Sequence, residues 1–171
     1  MSEILIIIGL ILLNGVFSMS EVAMISARKS RLSTDAKKGS KAAQKALDLS
    51  GNPDRFLSTV QIGITLIGIL TGIYSGNKIA TDLTDFMLSC GVSSAYAAVL
   101  AQGTIVVVVT YLTIIFGELV PKRIGLSVAE AVAKLMARPM NVLAMIASPF
   151  VWLLSKSTDC LLYTSPSPRD A

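Results

Sequence analysis

The chain has 171 residues, 53% of them hydrophobic and only 15% charged, with a mean hydropathy of +0.67, too apolar and too weakly charged for a water-soluble domain of this length. The net charge is +4, but the bases cluster beside apolar runs, so the excess reports orientation across a bilayer rather than affinity for nucleic acid. There is no histidine, and Cys90 and Cys160 lie far apart, so common zinc sites and histidine-based nucleophilic triads are unsupported and a non-enzymatic role is expected.

The first apolar run, about residues 4–27, is long enough to cross about 30 Å of hydrocarbon. Met1-Ser2-Glu3 carries no base, unlike the start of a signal peptide, whereas Arg28, Lys29, Arg31, Lys37, Lys38, Lys41 and Lys45 follow the run. The positive-inside bias therefore predicts an extracytoplasmic N-terminus and a cytoplasmic segment from Arg28 to Arg55. Residues 33–49, rich in Ala, Lys and Gln, read as a juxtamembrane helix on the membrane surface, ended by Ser50-Gly51-Asn52-Pro53.

A second span is expected over about 56–76. It carries Gly68, Gly72 and Gly76 at every fourth position, a ridge that lets another helix approach closely, whether from this chain or from a second copy. Residues 77–94 hold one base against Asp82 and Asp85, which suits an extracytoplasmic loop with a short helix from Ile79 to Leu88. The third span is read over about 95–119, where the length of the run outweighs the strand preference of Ile105-Val106-Val107-Val108-Val109.

Glu118, still inside that run, meets an environment that penalises charge by about 2–4 kcal/mol unless a partner or water receives it. Pro121 has no N–H to return to the Gly117 carbonyl, so a freed carbonyl and a carboxylate are expected side by side. The plainer reading is a helix stop at the membrane surface, with Glu118 paired to Lys122 one turn on.

Residues 127–156 are interrupted by Lys134, Arg138, Pro139 and Pro149, and their clean apolar part, 140–154, is short for a span. They read as proline-broken helices in or under the inner leaflet, with Trp152 at the interface, rather than as a fourth crossing. The last residues, 161–171, change character abruptly and read as a non-native or disordered tail on a chain truncated near Cys160. The expected fold is thus all-α, a polytopic membrane domain over 1–160 with three transmembrane helices and belt-like juxtamembrane helices.

Asn14, Ser18 and Glu21 share one face of the first span, and Gln61 and Thr65 share one face of the second. If these stripes converge with Gly117 and Glu118, they form an oxygen-rich pocket without sulphur or imidazole, suited to a hard cation. The competing reading is interhelical hydrogen bonding that only holds the bundle together, and it is favoured for Gln61 and Thr65.

Three motifs in order, Asn14-Gly15-Val16-Phe17-Ser18-Met19-Ser20-Glu21-Val22-Ala23, Phe56-Leu57-Ser58-Thr59-Val60-Gln61-Ile62-Gly63-Ile64-Thr65-Leu66 and Gly117-Glu118-Leu119-Val120-Pro121-Lys122, resemble the transmembrane domain of the cyclin M/CorC family of magnesium transporters, in the branch often labelled hemolysin-like. The resemblance implies a homodimer in the plasma membrane, an inward-facing Mg²⁺ site with Na⁺-linked export, and cytoplasmic CBS domains that bind nucleotide and follow this segment. It carries the first-helix ligand pair onto Asn14 and Ser18, and the acidic-proline motif onto Glu118 and Pro121. Ile64 and Gly68 stand where transporting members of the family typically have asparagines. That departure supports an alternative, a non-transporting dimeric membrane anchor; in the transport reading Gly68 or Gly72 permits helix motion.

Overall fold

A computed structural model of the chain describes residues 1–164. The expected tail from 165 onward lies outside the described residues, while 161–164 continue the last helix. Every regular element among the described residues is helical. In order these are α1 (Ser2–Ser26), α2 (Lys29–Lys37), α3 (Lys41–Ser50), α4 (Pro53–Tyr74), a first π turn (Ser75–Ile79), α5 (Ala80–Ser89), α6 (Ser94–Ile114), a second π turn (Ile115–Leu119), α7 (Val120–Ser127) and α8 (Ala129–Thr164).

Four helical runs, Ser2–Ser26, Pro53–Ser89, Ser94–Ser127 and Ala129–Tyr163, are long and apolar enough to cross a membrane. The chain is therefore a multi-pass membrane protein with one more candidate span than the three expected. The difference lies in α8, a single 36-residue helix in place of the proline-broken pieces expected over 127–156. At about 1.5 Å per residue α8 is roughly 54 Å long, so its basic start can sit outside a hydrocarbon layer about 30 Å thick. Pro139 and Pro149 turn their rings to the exposed side, and each removes one helical hydrogen bond while packing on α1, α3 and α4 keeps the axis continuous. Lys134 is held by Asp35 of α2, Nζ to Oδ2 2.9 Å.

Two other boundaries differ from expectation. The surface helix read over 33–49 is two helices, α2 and α3, split where Gly39 takes a φ of +98° that other residues rarely adopt; Ser40 then caps α3 by accepting the Ala43 N–H at 3.2 Å. Pro121 does not stop its helix. It occupies the first turn of α7, where a missing N–H is least costly, and the chain reaches it through the second π turn, in which Val120 N–H returns five residues to Ile115 O.

The hub is α1, which packs against α4, α7, α8 and the second π turn. Its close approaches depend on absent side chains: a Cβ on Gly15 would lie 2.9 Å from both Phe116 O and Pro121 Cγ, and one on Gly125 2.8 Å from Met19 O. Gly63 makes room for the Phe17 ring in the same way. The buried core gathers Phe17, Met24, Leu32, Phe56, Val60 and Met140 with the alanines of α3 and α8 at the base-rich end. By contrast α6 packs on α5 and the two π turns and stands off from α4, with only 11% of its most apolar stretch buried.

Candidate functional site

The gap between α4 and α6 is a cavity of about 390 Å³, with α1 as its back wall. Asn14 and Glu118 line it, and so do Gly68 and Gly72. Four of the positions singled out in the sequence, from three different spans, thus meet at one place.

The levels along α1 explain the meeting. Glu3 lies beside Lys78, carboxylate to ammonium 3.8 Å, Phe17 packs on Gly63, Asn14 reaches Gly117 and Met19 faces Gly125. α4 therefore runs antiparallel to α1, and α6 runs with it, so mid-helix polar positions in all three arrive at the same depth.

Asn14 is 4% exposed, and its Nδ2 donates to the Gly117 carbonyl at 3.1 Å. Gly117 O is the acceptor that an α-helix would pair with the N–H that Pro121 lacks, and α1 supplies it with a donor in the Asn14 amide. A carbonyl oxygen can only accept, so the amide must turn its NH₂ this way, which leaves Oδ1 as the acceptor of Asn14. Gly117 has no Cβ because Asn14 Nδ2 would stand 3.0 Å from it.

Glu118 is half-buried and forms no ion pair with Lys122; among the described residues the ion pairs involve Glu3 and Asp35 instead. Pro121 is buried against Gly15. Together these contacts hold the second π turn against α1 on either side of Glu118 in the chain. Single π turns inside α-helices recur at functional positions because they rotate the following side chains out of register.

The remaining candidates are placed elsewhere. Ser18 is buried, 1% exposed, but does not line the cavity. Glu21 is half-buried and also outside it. Gln61 and Thr65 are exposed and bonded to each other, Nε2 to Oγ1 3.4 Å.

The cavity wall adds four hydroxyls that the sequence reading passed over: Thr71 and Ser75 on the α4 side, Thr110 and Thr113 on α6. The signal was present. Gly68, Thr71, Gly72 and Ser75 follow one another at helical spacing along a single stripe, and the glycines drew attention for packing, helix motion and a missing asparagine, not for the hydroxyls beside them. No atom lies within 4 Å of a Cβ built at Gly68, Gly72 or Gly76, so within this chain the ridge faces open space.

Comparison with known proteins adds the following. Residues 5–169 match the family model described as the cyclin M transmembrane N-terminal domain. UPF0053 protein sll0260 of Synechocystis sp. is 47% identical over 160 residues, 94% of this chain and 36% of that protein. UPF0053 protein YhdP of Bacillus subtilis is 33% identical, over 93% of this chain and 36% of its own length. The polyamine export protein of Escherichia coli K12 is 34% identical over 155 residues, 91% of this chain and 34% of that protein. The chain spans about a third of the length of these relatives.

Proposed function

The chain belongs to the cyclin M transmembrane family, and from that premise we propose that it is the membrane domain of a cation exporter whose cargo is held at Glu118. The observation that carries this reading is a carboxylate without an ion-pair partner among the described residues, on the wall of a cavity far larger than one water needs. An intramembrane charge of that kind is tolerated when water or a cation supplies what the lipid cannot.

Mg²⁺ is the cargo we propose, with Na⁺ as the coupling ion. Mg²⁺ gives up its water reluctantly and is commonly held by one or two carboxylates with several waters retained. One carboxylate, the Asn14 amide oxygen and a roomy cavity suit such a partly hydrated ion. They do not suit a dry cage, since the described residues contain no cluster of three or more His, Cys, Asp or Glu side chains. In the complete protein the domain is a homodimer in the plasma membrane with its N-terminus outside, followed by nucleotide-binding CBS domains in the cytoplasm.

A second cargo is favoured by one specific observation. Relatives 34% identical to this chain carry the name polyamine export protein, and a cavity with its carboxylate at one end and hydroxyls further along also fits a linear protonated amine.

The test is flux from loaded proteoliposomes containing the full-length protein, with Mg²⁺ and spermidine as separate cargoes. Export of either that is lost in Glu118→Gln supports the reading. Absence of flux for both, in well-folded protein, leaves the non-transporting dimeric anchor.

A further inference from the structure

The cavity does not end at Glu118. On α4 and the start of the first π turn its wall continues from Gly68 to Ser75, about 10 Å at 1.5 Å per residue. On α6 it extends from Glu118 back to Val106, about 18 Å on the same measure. Both stretches run toward the end of the bundle where Glu3 meets Lys78, away from the bases at Lys122 and Arg123.

Hydroxyls alternate along this route with Ile67, Val106, Val109 and Ile114. Thr71 and Ser75 are nearly buried, 7% and 8% exposed, and Thr110 and Thr113 face the same space from α6. Thr71 Oγ1 donates to Ile67 O at 2.8 Å and Ser75 Oγ to Gly72 O at 3.2 Å. Each hydroxyl thus spends its proton on its own helix and keeps its oxygen lone pairs for a guest. α6 packs on the first π turn, which begins at Ser75, but stands off from α4 below it, where Gly68 and Gly72, beside Thr71, have no neighbour within 4 Å in this chain.

We infer that Thr71, Ser75 and Thr110 line a water-filled leg of the pathway, which hydrates the cargo after it leaves Glu118 and ends under the first π turn. The inference rests on the transport reading for its purpose, but the water itself can be tested without transport.

Single cysteines at Thr71, Ser75, Thr110 and, as a control, Val107 are placed in the full-length protein in liposomes, after Cys90→Ser and Cys160→Ser. A charged methanethiosulfonate reacts only with an ionised thiol that water reaches. Labelling at the three cavity positions should be at least about tenfold faster than at Val107, which is 69% exposed and lies outside the cavity on an adjoining face of α6. Gly72→Leu, at a position with no neighbour within 4 Å, should fill the leg and slow labelling at Ser75→Cys about tenfold without unfolding the bundle. Equal rates at all four positions, or a Ser75→Cys rate unaffected by Gly72→Leu, overturn the inference. Rapid labelling in a protein that moves no cation leaves the leg standing and removes only its purpose.

Discussion

Asn14 Nδ2 and the Gly117 carbonyl oxygen, 103 residues apart in the chain, lie 3.1 Å from one another across the α1 interface. One amide thereby repairs the backbone at the turn that carries Glu118 and still offers its own oxygen to the cavity.

Loss of that amide should cost stability as well as transport. Asn14→Ala and Asn14→Leu each leave a buried carbonyl unsatisfied, a loss of about 1–3 kcal/mol, and both should lower the melting temperature of the purified domain. A melting temperature equal to that of the parent would show that the bond carries no weight.

Glu118→Gln should behave in the opposite way. It removes a charge that costs about 2–4 kcal/mol in an apolar span unless solvated, so flux should fall to background while thermal stability is unchanged or higher. A variant that both melts earlier and fails to transport would mean that Glu118 braces the helices instead.

The glycines divide into two classes that alanine scanning should separate. Gly15→Ala and Gly125→Ala drive a Cβ to within 2.9 and 2.8 Å of backbone oxygens and should destabilise by about 1–3 kcal/mol. Gly68→Ala meets nothing within 4 Å and should be neutral or stabilising by up to about 1 kcal/mol through helix propensity. Equal losses at all three positions would contradict the packing described.

Acid should loosen the junction of α2 and α8. The hydrogen bond from Lys134, followed by its positive charge, holds the Asp35 carboxyl below the ordinary aspartate value of 3.8. A carboxylate whose pKa is lowered on folding contributes stability above its unfolded pKa and loses it as pH falls through the folded one. Melting followed from neutral pH to about pH 3 should show a steeper acid loss in the parent than in Asp35→Asn; superimposable profiles would remove the pair from the account.

Much of this was legible in the residues. The second span and the third were readable because an apolar run of 20 residues has few alternatives to a membrane helix, and Pro121 announced an orphaned carbonyl because proline has no N–H to give. The fourth long helix was not legible. Lys134 and two prolines look disqualifying until Asp35 is seen to hold the lysine and packing is seen to hold the axis.

The sequence by itself determined an all-helical membrane domain with Asn14 and Glu118 as polar residues in apolar helices that need a reason to be there, since periodicity and composition are local properties of the chain; its resemblance to the cyclin M family rested on three short motifs. Only the tertiary structure decided that Asn14 bonds to Gly117 while Ser18, Gln61 and Thr65 stay away from the cavity, and that Thr71 and Ser75 join it. Those outcomes depend on the depth and rotation at which three helices meet, set by glycines and a π turn acting across the bundle, and no window of residues along one helix contains that information.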